Sequence, residues 1–120
     1  MKYMILLYGD PAVEPAYGTP GFAKMMAEFG AVSAKLVADG VLDSGEGLQG
    51  VETATSLRIR GGKVETMDGP FATTKEHLGG YYVIDVPDLD AAMRYAELMP
   101  PAKWGTVEVR PLMNYNPAGK

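Results

Sequence analysis

An α+β fold with strands and helices in βαββαβ order is what this amino-acid sequence predicts, and three observations lead there. Tyr3–Tyr8 (YMILLY) is almost continuously apolar, as a strand covered on both faces is. The one long helical periodicity follows it, from Phe22 to Val37. A second apolar strand, Tyr81–Val86, then precedes a short helical stretch and an alternating run at Thr106–Arg110. At 120 residues the chain is read as a single domain over 1–120. A domain of that size buries roughly two thirds of its unfolded surface and has no room for a second core.

Each element has its own warrant. Gly9 to Gly18 holds two prolines and two glycines and reads as a loop. Thr19 is an N-cap candidate with Pro20 at the first helical position. Phe22, Met25, Met26, Phe29, Val32, Leu36 and Val37 then recur at helical spacing until Asp39-Gly40. Val41–Gly50 is glycine-rich and reads as irregular, with a short extended piece at Val41–Asp43. Val51–Arg60 reads as a strand, Gly61-Gly62 as a hairpin turn and Lys63–Met67 as the return strand. Asp68-Gly69-Pro70 ends it, because proline cannot donate to a ladder. Thr73-x-x-Glu76 has capping-box spacing and predicts about one helical turn before Gly79-Gly80. Asp88 caps a helix through Leu89, Ala92, Met93 and Ala96, stopped by Pro100-Pro101.

Two helices can cover one face of a four-stranded sheet. Tyr3–Tyr8 leaves its strand no polar face, so the other side of the sheet is expected to meet a second copy of the chain.

Composition narrows the function. The hydrophobic fraction of 47% and charged fraction of 22% are those of an ordinary globular protein. Without cysteine there is no disulfide, thiolate metal site or cysteine nucleophile. No stretch approaches the ~20 apolar residues of a membrane span, and Tyr3–Tyr8 is too short for a signal core. The expectation is a cytoplasmic protein. The net charge of −4, with Arg58–Lys63 the best basic cluster, argues against direct nucleic-acid binding. A single histidine leaves no transition-metal set, no Ser-His triad and no expected cofactor. Gly45 to Gly50 lacks the Lys-Ser/Thr of a phosphate loop.

The run DGPFATTKEHLGGYYVIDVPDLDAA (Asp68 to Ala92) resembles the YCII-related proteins, in particular the branch named for its Asp-Gly-Pro-Phe motif. MKYMILLYGD at the start, GVLDSGEGLQ (Gly40 to Gln49) and GTVEVRP (Gly105 to Pro111) extend that resemblance over nearly the whole chain. It implies a bacterial protein with a ferredoxin-like monomer whose sheets pair into a dimeric α+β barrel. It also implies a His–Asp pair in a cleft, of which Asp68 would be the aspartate. The histidine of that pair belongs near the start of the first helix, but Tyr17 to Gly30 contain none. His77, inside the motif run, is the chain's one histidine, and relatives of the branch resemble this stretch with glutamine there.

Asp68 ends a strand beside a glycine that lets a ligand approach the backbone, so its carboxylate could hold an amine or take a proton. The plainer reading is an Asx-turn capping nearby N–H groups. His77 is the side chain best suited to proton exchange near neutral pH, or simply an exposed residue of a short turn. Gly69, Pro70, Phe71 and Lys75 would line a cleft with Tyr8, Tyr81 and Trp104, although aromatics are more often core. The eight methionines read as adaptable filler. Three functions remain: a homodimer binding, or binding and transforming, a small polar organic molecule beside Asp68; a regulatory or accessory protein acting through protein contacts; and a bare structural dimer. Relatives of the branch occur beside or fused to alternative sigma factors, so the resemblance makes such a factor a candidate partner.

Overall fold

The computed structural model describes residues 1–114. Its centre is an antiparallel sheet of β1 (Lys2–Gly9), β2 (Leu42–Gly47), β5 (His77–Asp85) and β6 (Thr106–Pro111), in spatial order β2-β5-β1-β6. Helix α1 (Pro20–Ala38) joins β1 to β2, and α2 (Leu89–Ala96) joins β5 to β6. Every pairing in the sheet is antiparallel. Connectivity and strand order are consistent with the ferredoxin-like expectation. A separate two-stranded sheet, β3 (Thr55–Arg60) with β4 (Lys63–Asp68), is inserted between β2 and β5.

Both helix starts follow their sequence signals. Thr19 Oγ1 accepts from the Phe22 N–H at 3.2 Å with Pro20 at the first helical position, and Asp88 Oδ1 accepts from the Ala91 N–H at 2.9 Å. The core lies between the helices and one face of the sheet. Ile5, Leu36, Ile84 and Met99 are nearly or fully excluded from water, joined by Tyr3, Leu7 and Val32. Met26 and Val37, on the predicted apolar face of α1, are instead more than half exposed.

Alternation along β1 puts Met4 and Leu6 on the opposite face. The register sets Tyr81 and Val83 beside them on β5, and Glu108 and Arg110 on β6. An apolar centre with a polar rim results.

Four expectations need correction. The sheet's second strand is β2, not the hairpin, although its residues Asp43, Ser44, Gly45 and Gly47 disfavour strands. It forms because β5 supplies its ladder, and Gly45 fits where a Cβ would stand 2.7 Å from the Tyr82 ring. The capping-box stretch forms no helix: Thr74 Oγ1 donates to the Glu76 carbonyl and β5 begins at His77. Gly79-Gly80, read as a helix stop, lies inside β5. Leu7 pairs with Gly80 and Tyr8 with Leu78, so Gly79 is the extra residue of a β-bulge. The predicted strand start at Val51 is also replaced, by a 3-10 turn over Val51–Thr53.

Candidate functional site

A concavity of about 550 Å3 opens between α1 and the bulged part of the sheet. That size suits a small organic ligand. Met25, Phe29 and Ser33 of α1 form one wall, at spacings that share a helix face. The bulge of β1 and β5, with Gly45–Gly47 of β2, forms the floor. Glycines matter here: a Cβ on Gly80 would stand 2.9 Å from the Glu46 carbonyl, so β2 and β5 approach closely only without one. Ser33 Oγ and the Tyr82 hydroxyl lie 2.7 Å apart, leaving a satisfied polar pair between helix and floor.

Glu14 and Trp104 complete the lining beside Gly9. Trp104 follows the short 3-10 helix Pro100–Lys103, whose Pro100 and Pro101 are buried. Glu14 is placed by a turn that starts at Asp10. Asp10 is buried at 7% exposure; its Oδ1 accepts from the Ala12 N–H at 2.9 Å, and its carbonyl accepts from Val13 and Glu14 at 2.9 Å each. This is an Asx-turn immediately after a strand. A Cβ on Gly9 would collide with the Glu14 carboxylate and stand 2.9 Å from the indole, so both side chains crowd over that glycine.

Of the residues singled out in the sequence, Trp104 lines this cleft; Tyr8 and Tyr81 border it as well, but strand alternation sends their side chains to the opposite face of the sheet, with Met4 and Leu6. His77 lines an adjoining hollow of about 360 Å3 that shares Gly9, Glu14 and Gly79 with it. Lys75 Nζ lies 4.0 Å from Asp10 Oδ2, which links the motif run to the turn carrying Glu14. Asp68, Gly69, Pro70 and Phe71 sit at the base of the hairpin and line neither hollow. There the Gly69 N–H donates to the Ala54 carbonyl at 2.7 Å and Ser56 Oγ donates to the Gly69 carbonyl at 2.9 Å. Gly69 has φ +95°, a conformation that favours glycine. Phe71 is 73% exposed beside a shallow depression shared with Leu57 and Met67.

Asp10 and Glu14 went unremarked in the sequence. Gly9-Asp10-Pro11, directly after the first strand, is a turn signal that could have drawn attention to Asp10. Glu14 carries no local signal; the turn geometry alone brings it to the indole.

The Tyr8 hydroxyl donates to Glu108 Oε1 at 3.2 Å, and Arg110 Nε donates to Glu108 Oε2 at 2.8 Å. Burial, then the hydrogen bond to Glu108, raises the phenol above its ordinary pKa. The Arg110 hydrogen bond holds the Glu108 carboxyl below its usual range. Among the described residues no cluster of three or more His, Cys, Asp or Glu could hold a metal ion, and no helix is long and apolar enough to cross a membrane.

The fold and cleft define a class: small α+β proteins with a ligand-sized hollow between the first helix and an antiparallel sheet. The YCII-related domain profile matches residues 1–116, and the chain belongs to that family. An uncharacterised protein of Rhizobium meliloti (strain 1021) is 39% identical over 119 residues, covering 98% of this chain and 96% of that protein.

Proposed function

We propose that the protein binds a small organic molecule in the cleft between α1 and the bulged sheet, as a homodimer and within the Asp-Gly-Pro-Phe branch of the family. The observation that carries the binding reading is the hollow of about 550 Å3 beside Trp104. Bulges and glycines at its floor are what sheets use beside binding sites. The relevant aspartate is then Asp10, which sets the wall; Asp68 joins only through a hairpin brought from a second copy.

Trp104 is the chain's single tryptophan, so its emission reports the cleft directly. A metabolite screen should yield compounds that raise the melting temperature and shift that emission, with Trp104→Ala losing the stabilisation while remaining folded. Stabilising compounds that leave the emission unchanged would move the site elsewhere.

Homodimerisation is supported by the sheet face bearing Met4, Leu6 and Tyr81, which are partly exposed and lie outside the core between sheet and helices. Leu6→Asp should make the chain monomeric at low micromolar concentration by light scattering. A wild-type protein already monomeric there would remove this part of the reading.

The hairpin favours a second reading, a regulatory or accessory protein acting through contacts with a partner such as a sigma factor. Leu57, Ile59 and Val64 share one face of it, each over 60% exposed, and an isolated two-stranded hairpin is marginal in water. Replacing all three with serine should abolish partner capture without changing Trp104 emission if that reading holds; unchanged capture would reject it.

A further inference from the structure

The cleft has a charge character that narrows its ligand. Its charged lining residues are Glu14 and Glu46, and no lysine, arginine or histidine is among them. Of the basic side chains nearest by position, Lys103, next to Trp104, has its Nζ 2.8 Å from Glu28 Oε2, Lys75 Nζ lies 4.0 Å from Asp10 Oδ2, and Lys24, next to Met25, is exposed and not part of the lining. Glu14 itself forms no ion pair or side-chain hydrogen bond among the described residues, although it is only partly exposed. An anionic ligand would enter a hollow without a counter-ion and against a carboxylate, giving up hydration without compensation. A cation meets the opposite situation.

The wall beside that carboxylate is aromatic. Glu14 and the Trp104 indole converge over Gly9, and the rest of the cleft is dominated by apolar side chains such as Met25, Met26 and Phe29. A carboxylate next to an indole, backed by methionine and phenylalanine, is the chemistry that recognises an ammonium group: ion pairing on one side, the negative ring face on the other. The volume of about 550 Å3 leaves space for an apolar body behind the charged head.

We propose that the cleft takes an organic cation, an ammonium group on an apolar body, with the Glu14 carboxylate as counter-ion and the Trp104 indole as the adjoining wall. This rests on the small-molecule reading above and names the ligand class. Gly9 is then required because any larger residue would push both recognition groups apart. Asp10 is a positioning residue, holding the turn that aims Glu14.

Three near-isosteric probes separate the alternatives: phenethylamine, protonated at pH 7, neutral 2-phenylethanol and anionic 3-phenylpropanoate. Each is titrated into the full chain and followed by Trp104 emission and calorimetry. The amine should bind about tenfold or more tighter than either other probe, the span of one desolvated cation–π contact plus an ion pair. Glu14→Gln should reduce the amine to the level of the alcohol without changing the melting temperature, and Glu14→Lys should transfer the preference to 3-phenylpropanoate. Equal or tighter binding of the alcohol or the anion to wild type would overturn the cation assignment and leave the cleft as a binding site. A preference for the amine that survives Glu14→Gln would overturn the role of Glu14. If none of the three binds, the ligand class proposed here fails, while the metabolite screen separately decides whether the cleft binds anything.

Discussion

The four-stranded sheet and the β3–β4 hairpin are built from similar local patterns but experience opposite environments. Ile5 and Ile84 are fully buried, whereas Ile59, in an equally regular strand, is 61% exposed. The sheet is closed over by α1 and α2; the hairpin strands pack chiefly on each other through the register from Thr55–Asp68 to Arg60–Lys63. The radius of gyration, 16.6 Å, exceeds the roughly 14 Å of a compact chain of this length, as a projecting arm would produce. The same strand chemistry therefore yields core in one place and an open apolar surface in the other. What separates them is whether a helix follows in the chain to lie across the face.

Mutation tests that contrast directly. Ile84→Ala should cost about 2–5 kcal/mol, the range for deleting a buried aliphatic side chain, measured by urea unfolding. Ile59→Ala should stay within about 0.5 kcal/mol if the hairpin face is open to water. A loss at Ile59 comparable to that at Ile84 would mean that another chain covers the hairpin in solution.

Gly45→Ala probes how tightly β2 is held to β5. Its Cβ would stand 2.7 Å from the Tyr82 ring and 3.0 Å from the Tyr81 carbonyl, so a cost of about 1–3 kcal/mol is expected in the same assay. A neutral substitution would show that β2 can shift away from β5, and that the cleft floor is softer than the register suggests.

The two Asp-containing turns offer a finer comparison. Asp10→Ala removes a buried acceptor of a backbone N–H and should cost about 1 kcal/mol, as lost caps do. Asp68→Ala, at an exposed position whose turn is held by Gly69 and Ser56, should cost less than half of that. Asp68→Asn should leave ligand affinity intact if the cleft is the binding site; loss of affinity would return Asp68 to the site by way of a partner hairpin.

The smallest expected effect is on pH dependence. Asp39 is held below its ordinary pKa first by the hydrogen bond from Tyr95, at 2.7 Å, and then by Lys35. Asp85 is lowered by the N-terminal amine, 2.9 Å away. A depressed folded-state pKa contributes stability above the unfolded carboxyl pKa, and that contribution is lost as pH falls through the folded value. Both pairs are solvent-exposed, so the effect is modest. Asp39→Asn should flatten the acid side of the stability profile in thermal melts and leave the profile above neutrality unchanged in shape.

Much of this architecture was legible in the order of residues. Thr19-Pro20 and Asp88 start helices because their capping chemistry is local, and the apolar continuity of Tyr3–Tyr8 marks a central strand wherever it is placed. Trp104 was identifiable as an aromatic suited to a cleft, because its size and amphipathic character travel with the residue, whereas strand alternation turns the Tyr8 and Tyr81 side chains to the other face of the sheet.

Tertiary structure decided the rest. Leu42–Gly47 has no preference for a strand and becomes one because β5 offers an unpaired edge, a non-local ladder that local propensity does not encode. Gly79-Gly80 reads locally as punctuation, yet inside β5 it makes a bulge, since only the pairing with Leu7 and Tyr8 reveals an extra residue. Glu14 and Trp104 are ninety positions apart in sequence and meet over Gly9 only after the sheet brings the ends of β1 and β6 together. Residue type and spacing fix what each short segment can do alone, while a site made of groups that touch across the chain exists only once long-range pairing has set their distances.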